Sequence, residues 1–107
     1  MSKISLIAKL TAAEGKGAEL RALLGALIEA ADEEPGLEVY SAHGDPENED
    51  VVYFFELYQD QAAIDVHGKG ERMREAMGAL GGLLGARPEI TMLEPLVAKG
   101  LDVSPAS

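Results

Sequence analysis

A carboxylate, a phenol and an imidazole brought to one point can take a proton from a bound hydroxyl. Residues 51–67, VVYFFELYQDQAAIDVH, carry all three. Glu56 and Tyr58 stand two residues apart, a spacing that puts both on one face of a strand. His67 follows on a short helix expected over residues 61–67, capped by Asp60 accepting backbone N–H bonds. Strand and helix together predict a pocket holding His67, Glu56 and Tyr58 as its catalytic side chains. A neutral imidazole can accept a phenolic proton or ligate a metal or haem iron. It can equally do no more than hydrogen-bond across the helix–sheet interface. Glu56, if buried, needs a partner, which is either His67, oriented by it, or a structural ion pair with Arg72 or Arg74. Tyr58 offers a flat wall and a hydroxyl, or ordinary core packing.

Around these three stand the candidate substrate-binding residues. Phe54 shares the face of Glu56, as a further aromatic wall. Tyr40 and His43 fall on opposite faces of the preceding strand, so only one can face the pocket; Tyr40 is assigned there and His43 to solvent. Arg72 could attract an anionic or enolate-like substrate. Met73 and Met77 are expected in the core, with adaptable apolar contact to a ligand.

Composition removes several alternatives. The 107 residues suffice for one domain with a real core. With no Cys there are no disulfides, thiolate nucleophiles or Cys-ligated metals. A formal charge of −10 argues against nucleic acid, whose phosphates it would repel. Two His and no tight carboxylate group argue against a dedicated metal site. There is no G-x-G-x-x-G turn or P-loop for a nucleotide or flavin. No apolar run approaches a membrane span, and the N-terminus lacks a signal peptide's pattern, so the expected compartment is the cytoplasm.

The supporting elements follow from hydrophobic period. Residues 3–11 alternate as a strand, and Thr11-x-x-Glu14 fits a capping box before a helix over residues 18–33. In that helix Leu20, Leu23, Leu24, Leu27, Ile28 and Ala31 make the apolar stripe, and Glu34-Pro35-Gly36 ends it. Residues 37–44 form a second strand, residues 45–50 a polar hairpin loop, and residues 51–58 a third strand that is apolar on both faces. After Gly68-Lys69-Gly70, a helix through Met73, Met77, Leu80 and Leu84 is weakened by Gly78, Gly81, Gly82 and Gly85. Pro88 opens a last strand over residues 89–93. Residues 1–97 thus make the domain and residues 98–107 a C-terminal tail.

This order, βαββαβ, predicts an α+β, ferredoxin-like domain with a four-stranded antiparallel sheet and both helices on one face. The doubly apolar third strand would leave an exposed patch on the other face, so a homodimer packed sheet to sheet, curled into a shared α/β barrel, is expected.

LIAKL at residues 6–10, Gly15-Lys16, Glu34-Pro35-Gly36, FELYQDQAA at residues 55–63, His67 and Pro88-Glu89-Ile90 together resemble the antibiotic biosynthesis monooxygenase family over about residues 3–97. E-x-aromatic-x-D-x-A-A with a His seven residues after the Asp is the most specific part. The resemblance implies a dimeric α/β barrel, which agrees with the dimer argued from burial. It places His67 at the family's helix histidine, Tyr58 where many members carry Trp, and Arg72 where some carry a second His. The last departure speaks against a two-histidine mechanism. The family includes cofactor-independent monooxygenases of polycyclic phenols, quinol monooxygenases, haem-degrading oxygenases and enzymes handling a quorum-sensing signal. Trp is absent and Asn48 lies in the hairpin, so the pattern of the haem-degrading members is missing, although His67 alone leaves haem binding open.

The resulting expectation is a cofactor-independent monooxygenase that oxidises a hydroquinone or polycyclic phenol with O2. Its partners would be a small aromatic substrate, O2 and a second copy of itself, with neither nucleic acid nor membrane. Two other readings stay open: a non-catalytic small-ligand-binding dimer, and an isomerase or lactone-handling enzyme on the same scaffold.

Overall fold

The computed structural model describes residues 2–105. Strand β1, Ile4–Thr11, is followed by helix α1, Gly17–Ala22, and helix α2, Leu24–Ala30. A 3-10 turn, Ala31–Glu33, leads to β2, Leu37–Asp45, and β3, Asn48–Tyr58. Helices α3, Gln61–Asp65, and α4, Glu71–Gly81, precede β4, Glu89–Leu93. The strands form one sheet in the order β2-β3-β1-β4, antiparallel throughout. The expected α+β, ferredoxin-like arrangement is the one found.

Alternation decides which side chains meet. Leu6, Ala8 and Leu10 of β1 lie beside Glu56, Phe54 and Val52 of β3 and share the helix-side face. Against them pack Leu20, Leu27 and Met73, all fully buried. A buried leucine of this kind stabilises the fold by about 1.5–3 kcal/mol. On the opposite face Ile7 and Phe55 pair across β1 and β3, with Val39 and Leu57 alongside. Ile7 is 38% exposed, and Phe55 and Tyr53 are half-buried.

Several boundaries differ from the sequence reading, each for a local reason. Thr11 belongs to β1, so the capping box does not form; Asp50 instead reaches across and accepts from Gly17 N at 2.9 Å. The long helix is divided at Leu23 into α1 and α2. The polar loop at residues 45–50 is mostly strand, leaving only Pro46 and Glu47 in the turn. Arg21 gathers the carbonyls of Asp45, Asn48, Glu49 and Val51 there, giving polar backbone a partner that propensity does not foresee. Leu84 lies beyond α4, in a bridge with Ala12. A bulge between Leu37 and Val39 turns Leu37 onto the helix-side face with Tyr40 and Ala42.

Residues 98–105 contain no helix or strand, yet Lys3 Nζ donates to the Asp102 carbonyl at 2.9 Å and pairs with Glu38 at 2.6 Å. Among the described residues, no helix is long and apolar enough to cross a membrane.

Candidate active site

Strand β3 carries the site because its helix-side residues Phe54, Glu56 and Tyr58 emerge at successive alternate positions under the helices. The chain then turns at Asp60, whose side chain accepts from Ala63 N at 2.9 Å and starts α3. His67 sits just past this helix, on a turn closed by His67 N donating to Ile64 O at 3.0 Å. The expected helix over residues 61–67 is therefore shorter, but it does return the imidazole to the strand.

The imidazole is held from both sides. Its Nδ1 lies 2.7 Å from Glu34 Oε1, and its Nε2 lies 3.7 Å from Glu56 Oε1. A carboxylate oxygen accepts, so Nδ1–H donates to Glu34 and Nε2 is the ring nitrogen left towards the cavity. Tyr58 OH donates to Glu56 Oε1 at 2.5 Å. The rings of Tyr40 and Tyr58 each stand edge-on to His67 at 5.6 Å, and Tyr40 leans on Phe54 at 4.9 Å. In the sequence Glu34 shows only as the end of a helix. Its side chain is 3% exposed, and it also accepts from Gly68 N at 3.2 Å.

Beside this polar group opens a cavity of about 560 Å³. Its floor is Leu6, Ala8 and Leu10 of the sheet, and its roof is formed by Leu27, Ile64, Met77 and Leu80. Ile90 and Met92 of the edge strand β4 complete it at a half-exposed rim. Tyr40, Phe54, Glu56, Tyr58, His67 and Met77 all line it, so six of the predicted residues converge.

Two predicted residues do not line it. Arg72 is exposed on α4 and outside the lining, because the first turn of α4 is pinned by its backbone: Glu33 accepts from Arg72 N and Met73 N at 3.4 and 3.2 Å. The suggested attraction of an anionic substrate to Arg72 has no place in this cavity. Met73 is fully buried in the core rather than in the cavity wall. His43 is exposed, with Nε2 2.8 Å from Ser41 Oγ. Neither Arg72 nor Arg74 pairs with Glu56, whose partners are Tyr58 and His67.

Burial governs the protonation of the wall. It pushes the Tyr40 and Tyr58 hydroxyls well above the ordinary phenol range, with Glu56 adding to both, so both keep their protons. Burial likewise raises the Glu56 carboxyl; the Tyr58 hydrogen bond and His67 pull it down, and Glu34 pushes it up. The folded chain therefore binds this proton more tightly than the unfolded one. That stabilisation is complete below the ordinary Glu value, about pH 4.3, and is lost as pH rises through the raised value. Glu56→Gln, which stays neutral, should thus gain on the parent as pH rises from about 4.3 through the raised value of Glu56. The gain is read as a widening gap between urea midpoints; a constant gap would exclude burial as the dominant influence on Glu56.

An antiparallel β2-β3-β1-β4 sheet with its helices on one face and an imidazole–carboxylate group beside an apolar cavity defines a ferredoxin-like domain. The family model described as antibiotic biosynthesis monooxygenase matches residues 3–79, and the chain belongs to that family. Among solved structures it is similar to a Pseudomonas aeruginosa protein at 29% identity, with 91% of this chain and 97% of that one covered and a TM-score of 0.80. A Caulobacter crescentus protein assigned provisionally as an antibiotic biosynthesis monooxygenase matches at 27% identity, over 90% and 92% of the two chains, with a TM-score of 0.79. A Mycobacterium tuberculosis protein matches at 27% identity, over 91% and 98%, with a TM-score of 0.78. No curated protein matches the chain. Family membership places the chain among monooxygenases as a class.

Proposed function

We propose that this protein is a cofactor-independent monooxygenase that oxidises a hydroquinone or polycyclic phenol with O2. The observation that carries the reading is His67, fixed at Nδ1 by Glu34 with Nε2 free beside an apolar, aromatic-walled cavity. In this reading Nε2 takes the phenolic proton, and the electron-rich phenolate itself reduces O2. One oxygen atom enters the ring system, and the other leaves as water with the two hydrogens the substrate has lost. The protein supplies the base, holds the reactants together and excludes water. Tyr40, Phe54 and Tyr58 are the walls against which a flat substrate stacks.

The test is oxygen uptake by purified, metal-free protein with a panel of hydroquinones and anthrone-type phenols. Uptake well above autoxidation, with one oxygen atom incorporated into product, is the expected result. Binding without uptake for every compound would overturn the reading in favour of a ligand-binding protein, and rearranged product without oxygen would favour an isomerase.

The proposal includes a homodimer joined through the face bearing Ile7, Val39, Phe55 and Leu57, which no helix among the described residues covers. Sedimentation should give the mass of two chains, and Phe55→Glu should reduce it to one, because a charge on a buried apolar interface is left unpaired. A parent that sediments as a monomer at micromolar concentration would remove the dimer.

A further inference from the structure

The cavity is polar at one end only. Apart from Glu56, His67 and the hydroxyls of Tyr40 and Tyr58, its wall is aliphatic or aromatic, and among the described residues no Lys or Arg lines it. The two atoms that face each other at that end are His67 Nε2 and Glu56 Oε1, 3.7 Å apart. With Nδ1 committed to Glu34, Nε2 is the ring nitrogen turned to the cavity, and it faces a carboxylate oxygen. Oε1 already accepts from Tyr58 OH and has room for one further donor, and a donor entering between it and Nε2 would serve both atoms. A second buried carboxylate, Glu34, lies directly behind the imidazole, so an incoming anion meets two carboxylates and, among the described residues, no Lys or Arg of the cavity wall.

We propose that the cavity selects ligands with an apolar body and a single hydrogen-bond-donating head, neutral or cationic, and rejects the matching anions, with Glu56 as the residue that sets this choice. An ammonium head satisfies the gap as well as a phenol does, and it gains the ring faces of Tyr40, Phe54 and Tyr58. Lipophilic amines are therefore ligands of this site alongside phenols. The inference rests on the proposed function only in placing a ligand in the same cavity; it requires no oxygen chemistry.

It is tested by calorimetric titration of the full chain, without turnover, using four naphthalenes substituted at one ring position: aminomethyl, hydroxyl, methoxy and carboxylate. At neutral pH the wild type should bind the ammonium and the phenol at least about tenfold more tightly than the carboxylate. The methoxy compound, which offers no donor, should fall between them. Glu56→Gln should compress the ammonium-to-carboxylate ratio to within about threefold. Glu56→Asp, which keeps the charge, should retain the sense of the preference. The ranking in the wild type decides even if the Gln variant fails to fold. A carboxylate bound as tightly as the ammonium, or no binding by any of the four, overturns the inference. A protein that shows the ranking yet consumes no oxygen upholds it and refutes the monooxygenase reading alone.

Discussion

His67→Ala should lower kcat for oxygen-dependent oxidation of a phenol by about 10²–10⁴-fold, the usual worth of a positioned general base. KM should move far less, because the aliphatic floor and the aromatic walls that hold the substrate are untouched. No other group in the cavity matches the imidazole as a proton acceptor. Tyr40 and Tyr58 keep their protons, and Glu56 Oε1 already accepts from Tyr58. Added imidazole should restore part of the rate, since the truncation leaves room for a free ring. His67→Gln keeps a hydrogen-bonding side chain but cannot act as a base near neutral pH, and should be nearly as slow. Turnover of either variant within about threefold of the parent would remove His67 from the chemistry.

Glu34→Ala should cost about 2–4 kcal/mol of stability, although it deletes no part of the apolar core. The carboxylate is 3% exposed and accepts from both His67 Nδ1 and Gly68 N. Truncation leaves two donors unpaired where water reaches them poorly. Urea unfolding followed by far-ultraviolet circular dichroism reads the loss as a lower midpoint at unchanged slope. Glu34→Gln should recover most of it, because its amide oxygen can still accept from the ring. A loss below about 1 kcal/mol in the Ala variant would mean that water replaces the carboxylate at little cost.

Period and punctuation made the strands and most of the site legible. Phe54, Glu56 and Tyr58 alternate on an apolar run, and their common face follows from the pleat alone. Asp60 announced the helix that returns His67, and its side chain does cap it. Glu34 was illegible for a physical reason. In the run Asp32-Glu33-Glu34 it has the same local chemistry as its neighbours, and only the arrival of His67 from 33 residues away makes it a buried partner. Arg72 failed in the opposite way. The family resemblance sets it where some members carry a second His, but the turn of α4 on which it sits, pinned by Glu33, leaves it in solvent. The hairpin was misjudged because polar composition marks a turn without fixing how many of its residues remain paired. Leu84 kept helical spacing past the helix end, where the backbone had already turned to bridge Ala12.

Glu33 and Glu34 are adjacent in the chain and point their carboxylates at different tasks. One accepts from the first amides of α4, the other from the imidazole. Glu33 ends a 3-10 turn, in which each residue advances by about 120° around the axis, and Glu34 follows it directly. Deleting or inserting a single residue ahead of this pair would swing both carboxylates away together, uncapping the helix over the cavity and releasing the histidine. Connections between elements ordinarily absorb length changes with little harm. Here the turn between α2 and β2 has to keep its length, and a chain altered there would lose its site before it lost its fold.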